Sequence, residues 1–452
     1  TILHFVTAMN SLHTRRRFLH SSLLGCATSL TIPTFLEQTM GTLHAKAAQS
    51  TQAPHGKDDT ILIVVQLAGG NDGLNTLVPF GDDAYYQARP DLSIPKADVL
   101  KLNDHLGLNP NLPFFNKLYQ EGQLGIVQGV GYPNPNRSHF RSTEIWQTAT
   151  DADKYSKTGW LGRFFDNACA GREPEPTTGI AVSKKQPQSF MAATNPGISI
   201  SQPDLYRWIQ GKHPNAMAEN FFREFNQPSE NAIMAEEGSS IAEISGAPDA
   251  MRGSEESNLD YLERVALDAQ VSSDKIIKIA AKHRGPKQPY PGSGLAKSLQ
   301  LVSQMIAGGL NTRIYYVSHG GFDTHNNQAN THQRLMRELN DGLAAFMKDL
   351  RQQGNADRVV VSTFSEFGRR VAENDTKGTD HGAAAPLFVM GDAIKGGLYS
   401  KQPSLTDLER GDLKYTVDFR NVYATMLEHW MNASSAQVLG KSFETLDFLA
   451  KS

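Results

Sequence analysis

Short, unbroken apolar runs recur along the chain and predict β-strands buried on both faces. These runs occupy residues 61–67, 124–128, 312–317, 358–363 and 387–390. Stretches with the apolar spacing of helices lie between them, at residues 113–121, 140–148, 294–307 and 331–353. Because strands that alternate with helices pair in parallel and are covered on both faces, the pattern predicts an α/β three-layer sandwich with a mostly parallel central sheet.

The middle of the chain breaks this pattern. Residues from about 173 to 258 are rich in Pro, Ser, Gly and acidic side chains, including a Gly-Ser-Ser run at 238–240. Long stretches of this composition are typical of surface insertions. We predict an insertion or cap on one α/β domain that spans residues 48–452.

The first 47 residues have the pattern of an export signal. Residues 14–19 read Thr-Arg-Arg-Arg-Phe-Leu, an apolar stretch follows over 23–36, and Ala45-Lys46-Ala47 offers small residues for cleavage. We predict a twin-arginine signal peptide over 1–47 with a native start at Met9. The expected location is the periplasm or the exterior, and the expected partner is the twin-arginine export machinery.

Residues 1–47 also have two other interpretations. The first is a basic amphipathic helix or a membrane anchor, but polar residues and Pro33 interrupt the apolar run before the roughly 18 residues that a span needs. The second is a lipoprotein box that ends at Cys26, although it leaves only a short apolar region behind the arginines. We therefore expect no transmembrane anchor.

Composition narrows the classes of function. The 452 residues include 44 Lys and Arg, 47 Asp and Glu and two Cys, for a net charge of −3. Without residues 1–47 the net charge is −6, which disfavours nucleic acid as a partner. Cys169 is then the only cysteine, so no internal disulfide can form.

Polar residues follow the predicted strands, where parallel sheets bind their ligands. The five segments concerned are 69–73 (Gly-Gly-Asn-Asp-Gly), 136–141 (Asn-Arg-Ser-His-Phe-Arg), 320–325 (Gly-Gly-Phe-Asp-Thr-His), 365–369 (Ser-Glu-Phe-Gly-Arg) and 378–382 (Gly-Thr-Asp-His-Gly). Carboxylates and imidazoles suit divalent metal ions. The predicted metal ligands are Asp72, Asp323, His325, Glu366 and His381.

A metal ion would also make a nearby hydroxyl a useful nucleophile. We predict that Ser138 is this nucleophile and that Arg141 or Arg369 contacts the anionic group of a substrate. The cofactor would be one or two divalent ions, of Zn, Mn, Ca or Mg.

Each candidate also has a structural interpretation. Asp72 could cap a helix or close a turn. Ser138 could be the N-cap of the helix over 140–148, with His139 merely packing beside it. Glu366 could form an ion pair with one of the two arginines that follow it. For His332, on the helix over 331–353, we expect an outward-facing position.

Several motifs together resemble a known family. They are Leu-Ala-Gly-Gly-Asn-Asp-Gly-Leu-Asn at 67–75, the 320–325 segment, Ser-Glu-Phe-Gly-Arg-Arg at 365–370, the 378–382 segment, Gly-Asp-Leu-Lys-Tyr at 411–415 and Asp-Phe-Arg-Asn-Val-Tyr at 418–423. With the leader, they resemble the exported bacterial proteins called domain of unknown function 1501, which are placed in the alkaline-phosphatase-like superfamily with sulfatases. The resemblance implies a metal-dependent hydrolase or phosphomutase site.

The resemblance also implies roles for individual residues. Asp72 looks like the first metal carboxylate, Ser138 like the nucleophile, Asp323 with His325 like one ligand pair, and His381 like the final histidine. Glu366 stands where the second metal's Asp-His pair begins, but Phe367 replaces the imidazole, and the usual Asp-x-x-x-His spacing is shortened at 323–325. Neither Cys169 nor Ser138 begins the Cys/Ser-x-Pro-x-Arg motif of sulfatases.

Two hypotheses follow. The first is an exported metal-dependent hydrolase that acts on a phosphate or sulfate ester, with a small molecule or a glycan as its substrate. The second is a non-catalytic binding or assembly protein that keeps the alkaline-phosphatase-like fold. The acids and histidines favour the first hypothesis, whereas Phe367 favours the second.

Overall fold

The structure of the chain is a computed structural model. It describes residues 60–168, 176–183, 185–194, 196–200, 276 and 289–449. The predicted signal peptide, Cys26, Cys169 and most of the predicted insertion lie outside the described residues.

Within the described residues, a nine-stranded sheet forms the centre of the fold. The strands, numbered along the chain and including two short side sheets, are β1 (Ile61–Ala68), β2 (Leu77–Val78), β3 (Leu100–Lys101), β4 (Gly107–Leu108), β5 (Leu124–Gly131), β6 (Gly179–Val182), β7 (Ile198–Ile200), β8 (Ile314–Gly320), β9 (Val359–Phe364), β10 (Ala385–Met390), β11 (Gly397–Tyr399), β12 (Leu408–Glu409), β13 (Asp412–Leu413) and β14 (Val417–Asp418).

The central sheet is mostly parallel. Its order is β11-β5-β10-β9-β1-β8-β6-β7, with β14 also paired to β5. β1 pairs in parallel with both β8 and β9, whereas β10 runs antiparallel to its two neighbours β9 and β5. Because β5 and β9 both oppose β10, the strands β1, β5, β8 and β9 all point the same way. Their carboxyl ends therefore lie along one edge of the sheet.

Helices cover both faces of this sheet. They are α1 (Asp83–Ala88), α2 (Pro113–Gln120), α3 (His139–Thr148), α4 (Trp160–Ala168), α5 (Gly294–Ala307), α6 (Gln328–Gln353), α7 (Phe419–His429) and α8 (Ser435–Leu439). Alternate residues of β1 point to opposite faces. Ile61 and Ile63 belong to the core that contains α2, α5 and α6, and Leu62 and Val64 to the core that contains α3, α4, α7 and α8. The predicted three-layer α/β sandwich is confirmed.

Part of the stretch predicted to be an insertion belongs to the sheet. β6 pairs in parallel with β8, and β7 pairs in parallel with β6 at the edge. β6 is buried along its whole length, although it is only four residues long. β6 and β7 therefore extend the central sheet.

In the described part of the chain, each helix is too short or too polar to cross a lipid bilayer.

Candidate metal centre

Four loops meet beyond the carboxyl ends of β1, β5, β8 and β9. The loop after β1 lies so close to the loop after β8 that a Cβ on Gly69 would be 2.4 Å from the backbone nitrogen of Asp323. A Cβ on Gly70 would lie 2.3 Å from the ring of Phe367, in the loop after β9. Both glycines also have positive φ angles, of 120° and 76°, which other residues rarely adopt. The glycine pair lets these loops approach each other.

Three side chains converge at this edge. Nε2 of His325 lies 2.9 Å from Nε2 of His381, and both nitrogens approach the same carboxylate oxygen, Oδ1 of Asp323, at 3.1 and 3.2 Å. Asp323 and His325 follow β8, two residues apart, and therefore point the same way, as their alternation predicts. His381 comes from the 378–382 segment, which is bridged to Arg369.

The outer ring nitrogens of both histidines face hydrogen-bond acceptors. Nδ1 of His381 lies 2.8 Å from the carbonyl oxygen of Arg137, and Nδ1 of His325 lies 3.2 Å from a carboxylate oxygen of Asp380. Each Nδ1 therefore carries the proton and donates it. In a neutral ring the other nitrogen then holds a lone pair. Two imidazole lone pairs and the Asp323 carboxylate thus face one another, an arrangement that a cation stabilises.

A third histidine has the same arrangement. Nδ1 of His139, the first residue of α3, lies 2.9 Å from Oε1 of Glu366. Its Nε2 is buried, has no hydrogen-bond partner and lies 3.4 Å from Oδ2 of Asp323. The hydrogen bond that His139 donates to Glu366 raises the pKa of His139. His139, Asp323 and His381 offer ligand atoms that all lie within 4.8 Å of one another.

The donor set fits a metal ion. Four ligand atoms at about 2.05 Å from a tetrahedral ion lie about 3.3 Å apart. Here Nε2 of His325, Nε2 of His381 and Oδ1 of Asp323 lie 2.9 to 3.2 Å apart, and Nε2 of His139 lies 3.4 Å from the other oxygen of Asp323. Metal-binding histidines usually donate their other N–H to a carboxylate or a backbone carbonyl, as all three do here. The residues that would hold the ion are His139, Asp323, His325 and His381.

Arg369 and Glu366 lie beside this cluster and form hydrogen bonds with its members. Arg369 is 1% exposed and donates to Oδ1 of Asp323 at 2.8 Å. Burial alone would raise the pKa of Asp323, but the hydrogen bond from Arg369 opposes this effect and the pKa is lowered to about 2. Oε1 of Glu366 also accepts the N–H of Gly69 at 2.8 Å. Because its pKa is lowered, the Asp323 carboxylate stays ionised at neutral pH.

Phe367 restricts the space beside the cluster. Its buried ring packs against His139 and His381, with ring centroids 4.9 and 4.6 Å apart. The resemblance implies an imidazole ligand at this position, and a phenyl ring offers no lone pair. The arrangement therefore suits one ion.

Asp72 lies elsewhere, in a buried ion pair. One of its oxygens accepts from Nη1 of Arg89 at 2.6 Å, and both side chains are fully buried. Burial would raise the pKa of Asp72, but Arg89 outweighs this effect and the pKa is lowered. Arg89 and Gln328 both contact Oδ2 of Asp72, whereas its Oδ1 is buried and has no hydrogen-bond partner among the described residues. The ligand role of Asp72 stays a prediction, and Asp72 is not among the residues that converge at the cluster.

The predicted nucleophile and the two predicted arginines have different surroundings. Ser138 is exposed at the N-cap of α3, but its side chain makes no capping hydrogen bond. Arg141 pairs with Glu144 at 2.7 Å and stacks on Tyr155. The guanidinium of Arg369 donates hydrogen bonds to Asp323 and to backbone carbonyls. Neither Arg141 nor Arg369 therefore presents its guanidinium to a substrate.

Two residues of the site are not among the ligands predicted from the sequence. His139 is expected from the sequence only to pack beside Ser138, and Asp380 has no predicted role. The signal was present in both segments, because each of these residues lies directly beside a candidate, in Ser-His and Asp-His pairs. Sequence alone does not tell which member of such a pair faces the site.

His332 is buried, so the outward position predicted for it is wrong. Its Nε2 lies 3.1 Å from Oδ1 of Asn71, in the same buried polar region as Asp72. α6 begins three residues earlier than predicted, at Gln328, and its first turns lie against the loop after β1. Burial lowers the pKa of His332 to about 4.

This burial makes folding stability depend on pH. Between pH 6.5 and 4 the unfolded chain binds a proton at His332 that the folded chain does not, so the free energy of unfolding falls as the pH falls through this window. The loss reaches about 3 kcal/mol. Urea unfolding at pH 7, 5.5 and 4 should show a shallower decline for His332→Gln than for the wild type. Parallel declines would contradict the prediction.

Comparisons with known proteins give a family and distant structural likenesses. A PsFucS1 sulfatase from Pseudoalteromonas sp. is 11% identical, with 87% of this chain and 72% of that chain covered and a TM-score of 0.35. A protein in the alkaline phosphatase superfamily from Vibrio parahaemolyticus is 9% identical, with 91% and 78% covered and a TM-score of 0.34. The lipoteichoic acid synthase LtaP from Listeria monocytogenes is 9% identical, with 83% and 72% covered and a TM-score of 0.30.

These likenesses have low identities and low TM-scores, and none of the curated proteins matches the sequence. The family assignment comes from the sequence itself. The family model described as "Protein of unknown function (DUF1501)" matches residues 59–442, which include the whole candidate metal centre. The chain therefore belongs to the DUF1501 family.

Proposed function

We propose that the chain is a metal-dependent hydrolase of a phosphate or sulfate ester. One observation carries the proposal: three imidazole nitrogens face the Asp323 carboxylate, and each outer ring nitrogen is held by an acceptor. This cluster is largely accessible, since the Asp323 side chain is 49% exposed. It also lies beyond the carboxyl ends of parallel strands, where α/β proteins bind their ligands.

The donor set narrows the choice of metal. Three imidazoles and one carboxylate suit Zn²⁺ better than Ca²⁺, Mg²⁺ or Mn²⁺, which prefer oxygen ligands. Bound there, such an ion supplies Lewis-acid polarisation of a substrate oxygen. Asp380, Glu366 and the carbonyl of Arg137 fix the orientation of the three rings.

Ser138 is the proposed nucleophile. It directly precedes His139, and its hydroxyl is left free of the capping bond that a serine at this position usually makes. Its attack would replace the ester oxygen on phosphorus or sulfur, and water would later release the group from the serine.

The anionic group needs cationic contacts other than Arg141 and Arg369. Arg137 and Arg370 share the carboxylate of Asp412, at 2.5 and 3.7 Å, so this trio carries one excess positive charge. Their side chains are 34% and 38% exposed. The carbonyl of Arg137 holds His381, which ties the trio to the cluster. We assign the contacts with the ester anion to these two arginines.

Ser138→Ala should separate catalysis from stability. We expect turnover of a responsive phosphate or sulfate ester to fall by roughly 10³-fold or more, with metal content unchanged. Stability should hardly change, because the hydroxyl makes no cap bond. Ser434 is the matched control: it caps α8 through the N–H of Gln437, so Ser434→Ala should cost about 1 kcal/mol and leave turnover intact.

The measurements are metal analysis of the purified protein, rates on a panel of phosphate and sulfate esters of small molecules and glycans, and urea unfolding. Full turnover by Ser138→Ala would remove the serine from the mechanism. The absence of stoichiometric metal in the wild type would refute the metal centre.

A binding or assembly protein is the second candidate, and Phe367 favours it. The ring fills the place where the resemblance implies a further ligand, and it is 1% exposed. If the wild type holds stoichiometric metal but hydrolyses no ester of the panel, this second function replaces the first.

Export remains part of the proposal. It rests on the twin-arginine pattern within residues 1–47, which lie outside the described part of the chain. Fractionation of cells that express the wild type and the double substitution of Arg15 and Arg16 by lysine tests it. Unchanged export of the variant would argue against the twin-arginine route.

A further inference from the structure

Gln328 joins the two segments that carry the metal ligands. It is the first residue of α6 and is fully buried. Its side-chain oxygen accepts from the hydroxyl of Thr324 at 2.9 Å and from that of Thr379 at 2.6 Å. Thr324 lies between Asp323 and His325, and Thr379 lies two residues before His381. One amide oxygen therefore holds both ligand-bearing segments.

The other end of the same amide is fixed as well. Nε2 of Gln328 donates to Oδ2 of Asp72, the oxygen that also pairs with Arg89. A carboxylate accepts only, so the nitrogen must face Asp72 and the oxygen must face the two threonines. The buried ion pair thus determines which way the amide points.

We propose that Gln328 is a positioning residue for the metal centre and that Asp72 acts on the centre through it. This inference rests on the proposed metal site. The two segments are also joined directly, by the N–H of Thr379 to the carbonyl of Thr324 at 3.1 Å. Gln328 adds the contact that fixes their side-chain hydroxyls and anchors both segments to α6. Asp72 therefore contributes to the site without touching the ion.

The proposal predicts a loss of metal affinity. Gln328→Met keeps the length of the side chain but removes its three hydrogen bonds. We expect Zn²⁺ affinity, measured by competition with a chelator, to fall by about 10- to 100-fold, as is usual when a residue that holds metal ligands is replaced. The absorption spectrum of the Co²⁺-loaded protein should also change, because ligand geometry sets it.

The matched control is Asn340→Leu. Asn340 is a second buried amide on α6; it accepts from the N–H of Phe114 and has no contact with the ligand segments. Its replacement should lower stability by a similar amount and leave Zn²⁺ affinity and the Co²⁺ spectrum unchanged. A loss of affinity in this control as large as in Gln328→Met would reduce the effect to general destabilisation and overturn the proposal.

A second pair of variants covers the case in which Gln328→Met does not fold. Thr379→Val removes the hydroxyl and keeps the shape, whereas Thr379→Ser keeps the hydroxyl and loses the methyl group. Only Thr379→Val should lose affinity for Zn²⁺. Equal affinities in this pair, or a change of less than threefold in Gln328→Met, would overturn the positioning role. A wild type that binds neither Zn²⁺ nor Co²⁺ would overturn the metal site itself, and that result is distinguishable from the others.

Discussion

Asp323→Ala should lower the affinity of the protein for Zn²⁺ by about 100-fold or more. Oδ1 of its carboxylate lies 3.1 Å from Nε2 of His325 and 3.2 Å from Nε2 of His381. Oδ2 lies 3.4 Å from Nε2 of His139. A four-ligand zinc site is worth about 10–16 kcal/mol, so one ligand supplies roughly 3 kcal/mol. The loss of Asp323 also removes a negative charge that faces the Nε2 atoms of all three histidines.

Isothermal titration of the metal-free protein measures this loss. Asp98→Ala is the control, because Asp98 is an exposed carboxylate that precedes β3 and lies outside the cluster. Asp380→Asn should give an intermediate loss, since Asp380 holds His325 without being one of the proposed ligands. If Asp323→Ala bound Zn²⁺ with wild-type affinity, Asp323 would not be a metal ligand, and the proposed centre would be contradicted.

Arg89→Met should lower the free energy of unfolding by about 3–5 kcal/mol. The guanidinium is fully buried and pairs with Asp72, and it also donates to the carbonyls of Val371 and Arg370. Methionine fills much of the same volume but leaves Asp72 as a buried charge whose remaining side-chain hydrogen bond, among the described residues, is with Gln328. The desolvation cost of that carboxylate is the source of the loss.

Urea unfolding followed by circular dichroism gives the comparison. Arg334→Met is the control, since Arg334 pairs with Glu338 on the exposed face of α6 and should cost only about 0.5 kcal/mol. Removing Asp72 together with Arg89 should cost less than the two single losses added together, because no unpaired charge remains. Strict additivity would show that the pair is not coupled.

The five longest strands of the sheet and the helices α2, α3, α5 and α6 were predictable because their signals are local. Each buried strand of the parallel sheet is a short apolar run, and the boundaries of β1, β5, β8 and β9 differ from the predicted ones by at most three residues. The strands β6 and β7, at one end of the sheet, were missed. They are only four and three residues long, and they lie in a polar stretch where no apolar run stands out.

The composition of the site was harder to predict than its location. Strand ends identified the loops, but pairing decides which side chain is free to bind. Asp72 has the right chemistry for a metal ligand, yet its Oδ2 accepts a hydrogen bond from Arg89. Arg369 has the right chemistry for an anion contact, yet its guanidinium donates to backbone carbonyls. Such partners lie 17 residues away in one case and about 300 in another, at separations that no local motif contains.

The parallel pairing of β1 with β8 has a consequence for the order of folding. Leu62 pairs with Ile314, so this contact closes a loop of about 250 residues, and pairings of that length form late. The loops that carry the ligands come together only once β1 lies between β8 and β9. We therefore expect a half-folded chain to offer no complete site for an ion. An ion at the proposed centre should slow unfolding and leave the folding rate nearly unchanged.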